Sequence, residues 1–180
     1  DRLAKLIPNL PADPWTLDRA LNGVSELAAE YKNDYQVRQL LDLAMKEALR
    51  ILPPLPFTGR RALEDFEIAG VRVKKGQNVT LAPLHTHHMP SLWTDPHLFD
   101  PMRFSPERAE HKRHRYGYVP FGGGVHKCIG LYFGQMEIKT IMHNLLHDFE
   151  WSVPVGYRVP MDYSGLPVPK DGLPVSLVRR

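Results

Sequence analysis

The middle of this chain is barred from forming one long regular element. Prolines recur through it in short steps, first as Pro53-Pro54-Leu55-Pro56 and then at Pro83, Pro90, Pro96, Pro101, Pro106 and Pro120. Each fixes φ, donates no backbone hydrogen bond and turns the residue before it away from helix. Seventeen prolines in 180 residues is nearly twice the usual share of about 5%. An irregular, loop-rich portion is therefore expected between more regular flanks.

Those flanks are legible from periodicity. Val37, Leu40, Leu41, Ala44, Met45, Ala48, Leu49 and Leu52 form a stripe at helical spacing that Pro53 and Pro54 stop. Beyond Gly122-Gly123-Gly124, a second helical stripe runs through Ile138, Ile141, Met142, Leu145, Leu146 and Phe149. Asp13 followed by Pro14 reads as the cap and first position of an earlier helix that carries Leu17, Leu21, Val24, Ala28 and Tyr31. Between residues 65 and 82 the period becomes two, with Phe66 and Ile68, Val71 and Val73, Val79 and Leu81, which predicts short antiparallel strands around Gly70 and Gly76. Residues 83–120 read as extended loop with one short helix near Ser91-Leu92-Trp93. A loop that long in a compact unit is usually functional. Residues 150–153 and 174–178 are strand candidates of a small terminal sheet around the Asp171-Gly172 turn.

Composition narrows the class. Hydrophobic residues at 43% and charged residues at 24% are globular values, excluding a disordered tail, a collagen-like fibre and a coiled coil. Twenty-three basic against twenty acidic residues leave +3, which mildly favours acidic partners and gives no nucleic-acid footprint. No apolar run approaches the ~18 residues of a membrane span, and Asp1-Arg2-Leu3-Ala4-Lys5 lacks a signal peptide's apolar core. A cytoplasmic location is expected.

Cys128 is the only cysteine, so neither an intrachain disulfide nor a multi-cysteine metal cage is available. A cysteine just ahead of a helix lies near unpaired N–H groups and the positive end of the dipole, which favours the thiolate. Its loop, Phe121-Gly122-Gly123-Gly124-Val125-His126-Lys127-Cys128-Ile129-Gly130, adds His126 and Lys127 as positive charge and glycines that admit a flat partner closely. A lone cysteine is ordinarily a small buried hydrophobe. The loop around this one points instead to a metal ligand.

That loop resembles the Phe-Gly-x-Gly-x-Arg/His-x-Cys-x-Gly signature of the haem-thiolate monooxygenases, the cytochrome P-450 superfamily. Three further patterns follow the family's order. Lys46-Glu47-Ala48-Leu49-Arg50 contains its Glu-x-x-Arg, residues 87–96 match His-x-x-Pro-x-x-Trp-x-Asp-Pro, and Phe99-Asp100-Pro101-Met102-Arg103-Phe104 resembles Phe-x-Pro-x-Arg-Phe. The resemblance implies a mainly helical fold with small antiparallel β-sheets (α+β), a haem cofactor, O2, a small apolar substrate and an electron-donor protein, either a ferredoxin or a flavoprotein reductase. It makes Cys128 the axial thiolate and catalytic centre, with Phe121, Gly122, His126, Gly130 and Arg60 as haem contacts. Arg61 beside Arg60 leaves the choice of arginine open. Glu47, Arg50 and Arg103 would form a buried structural network, with Arg108 the weaker candidate for that arginine.

The Ala/Gly-Gly-x-x-Thr pattern of the family is missing ahead of Glu47, so the chain reads as a single partial domain, the C-terminal, proximal portion of the fold. It divides into residues 1–12 unplaced, 13–52 helical, 57–82 a small sheet, 83–127 meander and ligand loop, 128–149 the proximal helix and 150–180 a terminal sheet. Its partners would then include the missing N-terminal portion. The competing reading is a truncated, non-catalytic haem-binding or regulatory fragment. Leu55 to Thr58 and Tyr163 to Val168 would edge the substrate pocket, and the basic run from Arg108 to Arg115 would face an acidic electron donor. The trio His85, His87 and His88 lacks helical spacing and a cysteine or carboxylate partner, which argues against a zinc or copper site.

Overall fold

The computed structural model describes residues 34–180; the expected helix of residues 13–31 lies outside them. Helix α1 spans Asp34–Ile51. Its first three turns bury the anticipated Val37, Leu40, Leu41, Ala44 and Met45, but its last turn buries Glu47 and Arg50 instead of Ala48. The stripe thus changes from apolar to charged along one helix face, which determines what can pack there.

After Pro53-Pro54, strand β1 (Thr58–Arg61) pairs antiparallel with β4 (Asn78–Leu81), in register Thr58 to Leu81. Nested between them, β2 (Phe66–Ile68) pairs with β3 (Val71–Val73) through a two-residue turn at Ala69 and Gly70. Both turn residues have positive φ, 48° and 79°, the primed geometry that matches strand twist. The loop region contains a helix, but not at residues 91–93. Helix α2 is Pro83–His87, started by Pro83 in its first turn, whereas Leu92 and Trp93 donate to the Met89 carbonyl in a turn after Pro90. Short 3₁₀ segments follow at Pro101–Phe104, Glu110–Lys112 and Gly124–His126.

Helix α3 spans Leu131–Asp148. Its Leu146, with Met142 and Leu145, packs on Val37 and Leu41 of α1 and on Trp151. Lys139 bridges to Asp42 across the same interface at 3.2 Å. Ile138 and Ile141, expected in that stripe, are exposed among the described residues. Strand β5 (Phe149–Ser152) pairs with the last strand, β8 (Ser176–Arg179). Between them β6 (Met161–Asp162) pairs with β7 (Val168–Pro169), a hairpin too short to show a period in sequence. No helix among the described residues is long and apolar enough to cross a membrane.

Candidate functional site

The charged end of α1 is where the long loop is organised. Both oxygens of the fully buried Glu47 are occupied: Arg50 Nε donates to Oε2 at 2.7 Å, and Arg50 Nη2, Arg103 Nε and the Asp100 amide each donate to Oε1 at 2.9 Å. The two guanidiniums then collect loop carbonyls. Arg50 reaches His87 at 2.7 Å and Leu98 at 3.2 Å; Arg103 reaches Thr94 at 2.6 Å, Asp95 at 3.3 Å and Leu98 at 3.1 Å. A lysine could not make this set, because it lacks the planar fork that binds a carboxylate on one edge and carbonyls on the other.

The network is larger than expected. Glu110, buried although it sits in a run read as surface, accepts from Arg103 Nη1 at 3.2 Å and from the Thr94 amide at 2.9 Å. Burial pushes its carboxyl pKa up, but the bond from Arg108, the Thr94 amide and the charges of Arg103 and Arg108 outweigh that and hold it below the usual range. Arg108 is no bystander: it donates to Asp100 and, at 2.6 Å, to Glu110. Three carboxylates (Glu47, Asp100, Glu110) therefore face three guanidiniums (Arg50, Arg103, Arg108). Arg113 is also engaged, donating to Leu92 and Thr94. Short-range sequence pattern shows the neighbouring Arg108 but carries no sign that Glu110 is buried, since its partners Arg103 and Thr94 lie 7 and 16 residues away.

Aromatic rings join this cluster to the ligand loop. Trp93, beneath the Arg50 guanidinium at 5.3 Å, contacts Phe104, and Phe104 and His87 both contact Tyr118. The Tyr118 hydroxyl donates to the Lys46 carbonyl at 3.0 Å. Both ring nitrogens of His87 are engaged by backbone, and His88 Nδ1 meets the Leu84 carbonyl at 2.8 Å.

Two residues after Val119, the ligand loop opens at Phe121 and closes when the Cys128 amide donates to the Phe121 carbonyl at 3.0 Å. Gly122 and Gly124 have φ of 73° and 66°, where a side chain is strained, whereas Gly123 is extended. This is the physical content of the Gly-x-Gly spacing. His126 ends the 3₁₀ segment and is exposed. Cys128 is exposed and unbonded to any other cysteine, and Gly130 caps α3, where an added Cβ would stand 3.8 Å from the sulfur. Along the loop and the first two turns of α3, Val125, Ile129, Tyr132, Phe133 and Met136 leave apolar side chains uncovered among the described residues.

A haem fits this donor set. One exposed sulfur among uncovered apolar side chains suits a large flat apolar group with a metal at its centre, whereas a bare ion would want several ligands. The structure gathers Phe121, Gly122, His126, Cys128 and Gly130 on one loop. It puts Arg60 elsewhere, on β1, with Nη1 donating to the adjacent Gly59 carbonyl at 2.8 Å. Arg61 likewise donates from Nε to the Gly76 carbonyl at 3.2 Å, so each of the two exposed arginines commits one donor to a carbonyl and keeps others for an outside anion.

Fold and loop together define a haem-thiolate architecture, and comparison agrees: a family model described as Cytochrome P450 matches residues 17–175, and the chain belongs to that family of haem-binding oxidoreductases. It is 50% identical over 139 residues to Putative cytochrome P450 136 of Mycobacterium tuberculosis (strain H37Rv), covering 76% of this chain and 28% of that protein. With the Sterol 14alpha-demethylase of Mycolicibacterium vanbaalenii it shares 40% identity over 121 residues, 66% of this chain and 27% of the relative. Among solved structures, Retinoic acid bound cyanobacterial CYP120A1 superposes with a TM-score of 0.80 at 29% identity, over 91% of this chain and 40% of that one. The chain thus spans under a third of the length of these curated relatives.

Two outcomes follow from the geometry. Gly122→Ala and Gly124→Ala should each lower stability by about 1–2 kcal/mol, with Gly123→Ala near neutral, in equilibrium unfolding. Equal losses at all three positions would contradict the backbone account. Burial pushes the His87 pKa down to about 4; the bond to the Arg50 carbonyl opposes this, and the charges of Arg50 and His88 reinforce it. The unfolded chain, titrating near ~6.5, then binds a proton that the folded one refuses, so stability is complete above that pH and declines as pH falls towards 4. The contribution is about 3 kcal/mol. Denaturation at pH 7 and 4.5 should show a larger loss for the native sequence than for His87→Gln; identical losses would contradict it.

Proposed function

We propose that the protein carrying this chain is a haem-thiolate monooxygenase that inserts one oxygen atom from O2 into a small apolar substrate, with Cys128 as axial thiolate. The observation that carries this reading is the exposed Cys128 in a closed loop with two left-handed glycines, at the head of α3 and amid uncovered apolar side chains. Bound haem supplies the redox and oxygen chemistry, and a thiolate ligand increases electron density at its iron. The chain's own residues hold and orient. The loop amides and the start of α3 favour an anionic sulfur. Phe121 shields it, while His126 and Arg60 offer positive charge or donors for the propionates.

The apolar substrate is supported by the uncovered Leu55, Phe57, Tyr163, Leu166 and Val168, and by similarity to a sterol demethylase and a retinoic acid-bound protein. Electrons would come from an acidic ferredoxin or flavoprotein. Of the basic run, Arg108 and Arg113 are committed to internal contacts, which leaves Lys112 and Arg115 for that surface.

Reduction under carbon monoxide should give the strongly red-shifted Soret band of a thiolate complex, and Cys128→Ala should abolish it. A histidine-type spectrum, or an unaltered one in the variant, refutes the assignment. Haem binding without substrate-dependent oxygen use would instead support a non-catalytic haem-binding fragment.

A further inference from the structure

One buried side chain has no part in that chemistry yet touches both halves of the site. His87, fully buried at the end of α2, has Nδ1 3.1 Å from the Arg50 carbonyl oxygen and Nε2 2.9 Å from the Val119 amide nitrogen. The partners decide the tautomer. A carbonyl can only accept, so Nδ1 carries the proton; an amide N–H can only donate, so Nε2 presents its lone pair. Arg50 returns the contact, its Nη1 donating to the His87 carbonyl at 2.7 Å. Arg50 lies in the last turn of α1, where backbone carbonyls lack helical partners, so His87 also satisfies a helix end.

From Val119 the covalent path to the ligand is short. Pro120, rigid in φ, leads to Phe121, whose carbonyl accepts the Cys128 amide at 3.0 Å. A continuous line therefore runs from the end of α1 through the imidazole to Val119, Phe121 and the sulfur-bearing residue. Tyr118, its ring 5.6 Å from that of His87, makes a parallel tie through its hydroxyl to Lys46. The glycines that give the loop its shape also leave it free to pivot, so its near end needs such an anchor.

We propose that His87 is a positioning residue for Cys128: by accepting the Val119 amide it anchors the near end of the ligand loop to α1 and sets where the thiolate is presented. The inference rests on Cys128 being the haem ligand. The imidazole has two separable functions. Asparagine mimics Nδ1, so His87→Asn retains a donor for the Arg50 carbonyl and loses the acceptor for Val119. Glutamine mimics Nε2, so His87→Gln retains that acceptor and loses the donor. A merely structural histidine would make the two variants equivalent, as each loses one buried hydrogen bond.

The test uses the full-length, haem-loaded protein. His87→Gln should retain the thiolate-type spectrum of the reduced carbon monoxide adduct, and His87→Asn should lose much of it to the blue-shifted form while still holding haem. Amide exchange at Val119 should be roughly tenfold faster in His87→Asn than in His87→Gln. Equal spectra and equal exchange in the two variants overturn the proposal. If neither variant folds, Val119 exchange in the native sequence decides: protection matching the α1 amides supports the anchor, and open-loop exchange overturns it. A native sequence without any thiolate-type spectrum would instead refute the ligand assignment, which keeps the two failures apart.

Discussion

The carboxylate of Glu47 is the interaction on which the described structure depends. An ionised carboxyl buried without partners would be prohibitively costly, and this one is tolerated because two guanidiniums and the Asp100 amide occupy its lone pairs. The arrangement organises more than it stabilises. A buried ion pair is not intrinsically better than an apolar contact of equal volume, but it admits few alternative geometries. Residues 87–110 contain little regular structure, and their shape comes from which carbonyls point at Arg50 and Arg103.

Order passes from this cluster towards Cys128 by two kinds of contact. Trp93, Phe104 and Tyr118 form a packed aromatic column against the Arg50 guanidinium, while His87 and Tyr118 tie the irregular segment before Phe121 to backbone carbonyls of α1. The far side of α1 meets α3 through Val37, Leu41 and Leu146, so the helix that follows the ligand loop rests on the helix that anchors it. Sulfur position is thereby referred to α1 from both ends of the loop.

Periodicity made α1, α3 and the nested strands legible, although among the described residues only α1 buries its stripe over several turns, while the apolar side chains of β2, β3 and β4 stay largely uncovered. The Gly-x-Gly spacing was legible for a sharper reason: only the first and third glycines occupy left-handed backbone. What escaped were features created by long-range placement. Nothing around Glu110 distinguishes it from the solvated charges beside it until Arg103 and Thr94 are brought to it, and Arg108 reads as surface until Asp100 turns inward. Helix α2 lies at Pro83–His87 instead of at Ser91-Leu92-Trp93: both segments follow a proline, but the second makes only a single turn onto the Met89 carbonyl. The exposure of Ile138 and Ile141 shows the converse: an apolar stripe states which face seeks cover, not which residues supply it.

The central role of the Glu47 carboxylate is tested most directly by equilibrium unfolding of Glu47→Gln, which alters shape least and replaces one acceptor with a donor facing donors. Removing the charge should cost at least about 3 kcal/mol, and exchange of the Asp100 amide should accelerate with it. Native-like stability, with the Asp100 amide still protected, would show that packing rather than this carboxylate organises the loop.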